Sequence, residues 1–300
     1  MTRSAVSPHS RVTILPVGIY PYVDKVIVWL KRPLTQTETA WIKAGCRGKV
    51  EIKRNGESVW ISGKSTLARH RDRAFLQRVQ LYQPSDEVLE WFAGRNDARL
   101  TYLEPSLDLI FKNEMDWEDA YRFTCKHHVK RHHRTQKVVF VGEGGCTRYS
   151  GPRRAPNVMV VYCDKPSKVT GEYNCVHFDW RINGFDALCR AGIKSIRHWL
   201  NMDKRKFWSE RILLRQFDLK RLGEVHRAWY RKKRLRPRTT HTGHLPYDVD
   251  RRTGSIIVRK FGSTQAVLDH ASRKKFAARK CLVPINIDEW LPRNGTPTSV

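Results

Sequence analysis

Cys146–Ile193 reads CTRYSGPRRAPNVMVVYCDKPSKVTGEYNCVHFDWRINGFDALCRAGI, the most informative segment of the chain. Two apolar runs within it, Val158–Tyr162 and Val176–Ile182, have strand character and are joined by a Pro/Ser/Gly turn region. The first ends in Tyr162, Asp164 and Lys165. The second alternates, with Val176, Phe178, Trp180 and Ile182 on one face and His177, Asp179 and Arg181 on the other. A sheet with one apolar face and one face of His, Asp and Arg is built either to meet water or to hold a metal and phosphate.

More strands and short helices are expected on the N-terminal side of this segment. DKVIVWLKR from Asp24 reads as a strand, and Thr35–Ala44 as a helix with Thr35 and Glu38 in capping-box spacing. KVEIKRN and SVWISG suggest a hairpin around Asn55-Gly56, and RAFLQRVQLYQP a further strand. Ser85–Ala93 is a helix with a Ser cap and an acidic first turn. Arg99–Phe111 is strand-like, and Pro105 marks it as an edge strand or a bulge. Asp116–Arg131 reads as a basic helix, and Lys137–Val141 as the strand that leads into the hairpin region.

Beyond Ile193 the texture changes. Residues 194–236 read as helix, a Pro/Thr/Gly-rich basic break follows at Arg236–Pro246, and SIIVRKF reads as a strand before a helix from Thr264. The expected class is α+β: a mostly antiparallel sheet with packed helices, followed by a basic helical C-terminal region. The expected organisation is a disordered lead over 1–16, a main domain over 17–235 and a basic extension with a small strand-helix unit over 236–300.

Charge narrows the partners. Of 300 residues, 57 are Lys or Arg against 29 Asp or Glu, a formal net charge of +28. A chain this basic repels itself unless it meets a polyanion, and nucleic acid is the expected one. No run of eighteen apolar residues predicts a membrane span, and no long basic amphipathic stretch predicts a membrane-surface helix. MTRSAVSPHSRV carries no apolar signal-peptide core, and the seven cysteines form no CxxC pair. The expectation is a cytoplasmic protein with reduced thiols, each equally readable as a small buried hydrophobe.

Three constellations could carry chemistry. Period two places Tyr102, Glu104, Ser106 and Asp108 on one face of RLTYLEPSLDLIF, where Glu104 and Asp108 could meet Asp179. Three close carboxylates are tolerated around Mg²⁺ or Mn²⁺, or as ordinary acids facing water. In CKHHVKRHH, His128 and His132 have zinc spacing on a helix, but the surrounding bases favour a phosphate-contacting face. In Trp229-Tyr230-Arg231-Lys232-Lys233-Arg234, bases beside a tyrosine could ease its ionisation and hold a phosphate for attack; the same pattern describes a passive contact helix. No P-loop, no strand-linked GxGxxG and no G-x-S-x-G elbow is present.

The order of these parts resembles the Rep_trans family of rolling-circle replication initiators of plasmids and filamentous-type phages, over roughly residues 24–235. The paired-acid strand is LTYLEPSLDLIF. Thr147-Arg148-Tyr149-Ser150-Gly151-Pro152-Arg153 resembles T-x-Y-x-G-x-R, and Tyr162-Cys163-Asp164-Lys165 resembles the Y-x-D-K strand end. His177-Phe178-Asp179-Trp180-Arg181-Ile182-Asn183-Gly184 resembles R-x-E-x-R-x-x-G, with Asp179 in place of Glu and His177 in place of a base. Glu104 stands where Asp is more common.

The resemblance implies an enzyme that nicks one strand of origin DNA through a covalent phosphotyrosine. Glu104, Asp108 and Asp179 would hold Mg²⁺ or Mn²⁺. Tyr230 would be the nucleophile, with Tyr149 and Tyr162 as rivals, and Arg231 and Lys232 would stabilise the phosphoryl charge. Arg148, Arg153, Lys165, Arg181, Arg227, Lys233 and Arg234 would contact nucleic acid. Origin DNA, a host polymerase and a host helicase are the implied partners in a bacterial cytoplasm, with a homodimer as one arrangement. The competing expectation is a non-catalytic DNA- or RNA-binding regulator with the same sheet. A tyrosine recombinase would need a tyrosine near the C-terminus, and none follows Tyr247.

Overall fold

Two thirteen-residue strands, β1 (Gly18–Leu30) and β4 (Ala98–Ile110), form the spine of an antiparallel sheet. The computed structural model of the chain describes residues 14–54, 75–129, 137–142, 145–151, 155–233 and 247–292. Around the spine lie β2 (Val50–Arg54), β3 (Gln77–Tyr82), β5 (Lys137–Gly142), β6 (Gly145–Ser150), β7 (Asn157–Tyr162) and β8 (Cys175–Asn183). The order is β2-β3-β1-β4-β8-β7-β6-β5, with every neighbouring pair antiparallel. The fold is α+β, as the alternating runs predict. The anticipated pair β7–β8 is central, with Val161 opposite Phe178 and Val160 opposite Asp179.

The chain divides into two compact units. One comprises Val17–Ile110, Gln136–Phe207 and Pro292–Val300, and contains the sheet. Its apolar face carries Val23, Val26, Leu103, Leu107, Phe178 and Ile182, all buried. Helix α1 (Gln36–Ala44) begins at the expected capping box, with Thr35 Oγ1 accepting from the Glu38 amide at 3.1 Å and Glu38 accepting from the Thr35 amide at 2.8 Å. Helix α2 (Asp86–Gly94) starts at Ser85, whose Oγ accepts from the Val88 amide.

The other unit comprises Met1–Pro16, Phe111–Thr135 and Trp208–Leu291. It contains α3 (Glu114–His127), while α4 (Phe185–Arg190) packs on β4 and β8 of the sheet unit. The stretch expected as one helix over 194–236 is instead broken into α5 (Ile196–Leu200), α6 (Lys204–Ser209), β9 (Arg215–Phe217) and α7 (Leu219–Lys232). Side-chain caps explain the breaks. Lys204 Nζ donates to the Trp199, Leu200 and Met202 carbonyls, and Asp218 Oδ1 accepts from the Arg221 amide at the start of α7.

SIIVRKF, expected as a strand, forms the second half of helix α8 (Tyr247–Phe261). Burial follows helical spacing there: Gly254 and Ile257 are buried while Ile256 is 54% exposed. Gly254 meets the Leu219 carbonyl of α7, and Gly223 of α7 meets the Asp250 carbonyl; a Cβ at either glycine would lie 2.0 Å from that oxygen. This close crossing overrides the β-propensity of Ile-Ile-Val. Helix α9 (Thr264–Lys274) starts at Ser263, consistent with the helix expected from Thr264.

Other expectations meet smaller corrections. β1 begins six residues before Asp24, and α3 ends at His127 because His128 bridges to Leu214. Pro105 does not mark an edge, since β4 pairs on both sides; of the two register shifts between β1 and β4, the one opposite it is a bulge in β1 between Val23 and Lys25. The hairpin around Asn55-Gly56 lies outside the described residues. Within them, six cysteines are free thiols, and no helix is long and apolar enough to cross a membrane.

Candidate functional site

The acids on the polar face of the sheet are buried. Asp24, Glu104, Ser106, Asp108, His177 and Asp179 are all buried, so the reading of these acids as ordinary solvent-facing groups does not hold. Cross-strand register explains their meeting: Ser106 stands opposite Asp179, Asp108 opposite His177, and Lys25 opposite Glu104. The face sorts into two adjoining networks.

In the first, ligand oxygens of Asp24, Glu104 and Asp179 all lie within 4.8 Å of one another. Ser106 Oγ donates to Asp179 Oδ1 at 2.7 Å. Arg181 Nε donates to Glu104 Oε1 at 2.6 Å, and the Tyr102 hydroxyl donates to Glu104 Oε2. Lys168 Nζ lies 2.7 Å from Asp24 Oδ2, and Gln83 Nε2 donates to Asp24 Oδ1 at 2.9 Å. Gln83 also donates its amide to the Asp24 carbonyl, from a left-handed backbone at φ 48°. A non-glycine residue held there is strained backbone beside a cluster of charge.

Burial pushes the Asp179 carboxyl up to about 7, and the negative charges of Glu104 and Asp24 push the same way against Lys168 and Ser106. Burial would lower the Lys168 ammonium, but Asp179, Asp24 and Glu104 together hold it above its ordinary value. Burial likewise opposes the Arg181 charge, and Glu104 outweighs it. The site therefore holds more negative charge than it comfortably ionises.

In the second network, His177 Nδ1 lies 2.8 Å from Asp108 Oδ1 and Nε2 lies 2.8 Å from the Lys165 carbonyl oxygen. Both partners accept, so both nitrogens donate and the ring is an imidazolium. Burial works against that charge, but the hydrogen bond and charge of Asp108 raise the His177 value. Asp108 also accepts from Ser167 Oγ at 2.7 Å and from the Tyr22 hydroxyl at 3.2 Å. Tyr162 stacks on His177 with ring centroids 4.4 Å apart. Cys175 lies within ligand range of this pair, but burial first, then Asp108, pushes its thiol up. A doubly protonated imidazole, a neutral thiol and a carboxylate with three donors suit no cation; the network is a lock that fastens the β7–β8 connection to the sheet.

The structure thus brings Glu104 and Asp179 together and adds Asp24, while Asp108 sits in the lock. Sequence alternation does not reveal Asp24 as a member of this cluster, because the apolar run DKVIVWLKR begins at that residue. Lys168 was missed because a lysine in a turn looks like solvent-facing charge.

The expected phosphate contacts scatter. The Lys165 side chain is exposed, and the Arg181 side chain is 27% exposed with its guanidinium 5.7 Å from the Tyr149 ring centroid. Arg148 is enclosed, at 1% exposure, cross-strand from Val161 on the apolar side. Tyr230 lies on α7 in the helical unit, half-buried, its ring 4.6 Å from His226 and 5.0 Å from Trp229. Arg231, Lys232 and Lys233 are exposed. Arg227 is engaged with α8, its Nε 2.8 Å from Asp250 and its Nη2 donating to Thr253 at 3.1 Å. His128 is buried beyond the end of α3; His132, Arg153 and Arg234 lie outside the described residues.

Fold and site together define an antiparallel α+β sheet protein with a buried acidic centre and a separate basic helical unit. No protein-family model and no curated protein matches the chain. Among solved structures, it is similar to the rolling circle replication initiator protein from Geobacillus stearothermophilus, with 11% identity and a TM-score of 0.36, over 59% of this chain and 79% of that one. A likeness this distant decides nothing about the site.

Proposed function

We propose that this chain is a DNA-binding replication initiator that nicks one strand of its origin by metal-assisted tyrosine transesterification. The observation that carries the reading is the buried trio Asp24–Glu104–Asp179, whose oxygens lie within 4.8 Å of one another in a chain of net charge +28. The all-oxygen donor set suits Mg²⁺ or Mn²⁺. The elevated Asp179 value is a second mark of fit, because a divalent cation would relieve the repulsion that raises it. Asp24, Glu104 and Asp179 would hold the ion, with Asp24 taking the place expected for Asp108. When bound, the ion would polarise a scissile phosphate.

Tyr230 is the proposed nucleophile. Its phenolic oxygen forms a bond to phosphorus as the bond from phosphorus to the 3′-oxygen breaks. The phenol loses a proton and the departing oxygen gains one, leaving a free 3′-hydroxyl for a host polymerase to extend. The exposed Arg231 and Lys232 are suited to the charge developing on the phosphoryl oxygens. Among the rivals, Tyr162 is disfavoured: burial, followed by the surrounding acids, raises its hydroxyl far above the ordinary value. Tyr149, half-buried near Arg181, is the remaining alternative.

The test incubates the protein with supercoiled DNA carrying its cognate origin and Mg²⁺ or Mn²⁺. A covalent protein–DNA adduct that is lost in Tyr230→Phe is expected. An adduct that survives that change and is lost in Tyr149→Phe moves the nucleophile to the sheet. Binding to a verified origin without nicking leaves the non-catalytic regulator.

A further inference from the structure

Lys168 places a positive charge on the Asp24–Glu104–Asp179 cluster. Its ammonium lies 2.7 Å from Asp24 Oδ2, its side chain is 28% exposed, and Asp179 and Glu104 also act on its charge. The residues around it are fastened. The Lys165 carbonyl accepts from His177, and Ser167 Oγ donates to Asp108 while accepting from the Val169 and Thr170 amides at 3.1 Å each. The Ser167 amide donates to the Glu172 carbonyl at 2.8 Å, and Arg47 Nη1 donates to the Val169 carbonyl at 3.1 Å. A lysine on an unattached turn would swing into water; this one is delivered to Asp24 by anchors on both sides of it.

The other oxygens of the trio are approached differently. Glu104 is bonded by Arg181 and Tyr102, Asp24 Oδ1 by Gln83, and Asp179 Oδ1 by Ser106. Three of these donors extend from the pleated strands β8, β4 and β4, and Gln83 directly follows β3. Gln83 is also fixed through its backbone amide to the Asp24 carbonyl, whereas Lys168 ends in a flexible four-carbon stem, so it is the group that can leave. With Lys168 and Arg181 in place, two positive charges face up to three negative ones. Exchanging the ammonium for a divalent ion balances the sum without disturbing the strands.

We infer that Lys168 is the resident cation of the acidic centre, held there by the Asp108–His177–Ser167 lock, and that a divalent ion binds by displacing it. Lys168 is thus a positioning residue that sets metal affinity. The inference rests on the metal-binding reading given above.

The test is Mn²⁺ binding to the full chain without DNA, followed by the electron paramagnetic resonance of free Mn²⁺ at neutral pH. Lys168→Met keeps length and removes charge; it should bind Mn²⁺ about tenfold more tightly than the wild type, because a repelled cation no longer competes with a like charge. Lys168→Arg keeps the charge and should remain within about threefold of wild type on the same electrostatic ground. Circular dichroism confirms that each variant is folded. Wild type and Lys168→Met binding with equal affinity, or the Met variant binding more weakly, overturns the role of Lys168 and leaves the metal reading standing. Uptake by neither protein, both folded, overturns the two together. Uptake by the Met variant alone supports the displacement in its strongest form.

Discussion

Replacing Asp179 by Asn should make the protein more stable at pH 8 and cost it the acidic centre. Asp179 is 2% exposed, and its carboxyl is pushed from an ordinary 3.8 up to about 7. For an acid raised in the folded state, the unfolded chain gives up its proton first. Between about pH 4 and 7 the folded state binds more protons, so stability falls as pH rises through that window. Above it, the full penalty for holding the carboxylate is about 4 kcal/mol. Below pH 4 the group is protonated in both states and the penalty vanishes. Asn keeps the shape and can still accept from Ser106 Oγ, which lies 2.7 Å from Asp179 Oδ1. Its amide would face the carboxylates of Glu104 and Asp24 as a donor. Urea unfolding in chelator should therefore show Asp179→Asn more stable than wild type by about 2 to 4 kcal/mol at pH 8, with the gain shrinking toward zero at pH 4. A gain that is the same at both pH values, or a loss at pH 8, would refute the reasoning. The same variant should lose Mn²⁺ binding.

Three other outcomes follow from the packing. His177 should give the nitrogen NMR signature of a doubly protonated imidazole at pH 7; a neutral tautomer there would remove the lock. Its raised value contributes stability that is fully present below the ordinary histidine value of 6.5 and is lost as pH rises through the folded one. Asp108→Asn should destabilise by about 3 to 5 kcal/mol in urea, because it leaves the imidazolium buried without its carboxylate. Gly254→Ala should destabilise by about 3 kcal/mol, since its Cβ would fall 2.0 Å from the Leu219 carbonyl, whereas Gly94→Ala, with nothing within 4 Å, should be neutral or stabilise by up to about 1 kcal/mol; equal effects would mean that the α7–α8 crossing is not tight.

Much of the sheet unit was legible. Alternation in Val176–Ile182 placed His177, Asp179 and Arg181 on one face, and all three contribute to that face's networks. The acids of Arg99–Phe111 fell on the matching face, since Ser106 pairs with Asp179 and Asp108 with His177. Alternation specifies a face but no position along it, so it could not show that Asp108 stands beside His177 while Glu104 stands beside Arg181. The helical unit was less legible. Ile256-Ile257-Val258 favours a strand by local propensity, and only the contact of two glycines across α7 and α8 makes the helix decisive. The breaks over 194–236 depend on Lys204 and Asp218 as caps, and both look like ordinary surface charges in a basic sequence.

Asp24 carries the remaining lesson, because its place was encoded in a change of parity. Before it, Ile19, Pro21 and Val23 fall on the apolar face at odd positions; after it, Val26 falls there at an even one. Val23 stands opposite Pro105 and Val26 opposite Leu103, so one residue must be extra between them. The bulge supplies it, opposite a proline that has no N–H to offer the ladder. As a result Tyr22, Asp24 and Lys25 can all serve the polar side while both valines stay buried. A regular strand with the same valines inside could not place both Asp24 and Lys25 on that side. The third carboxylate therefore comes from a local departure from pleated geometry, with Gln83 strained at φ 48° to hold it. Two departures that both serve one oxygen cluster are hard to explain as packing, because burying a third acid among two others opposes stability. They fit the cation site proposed for this cluster.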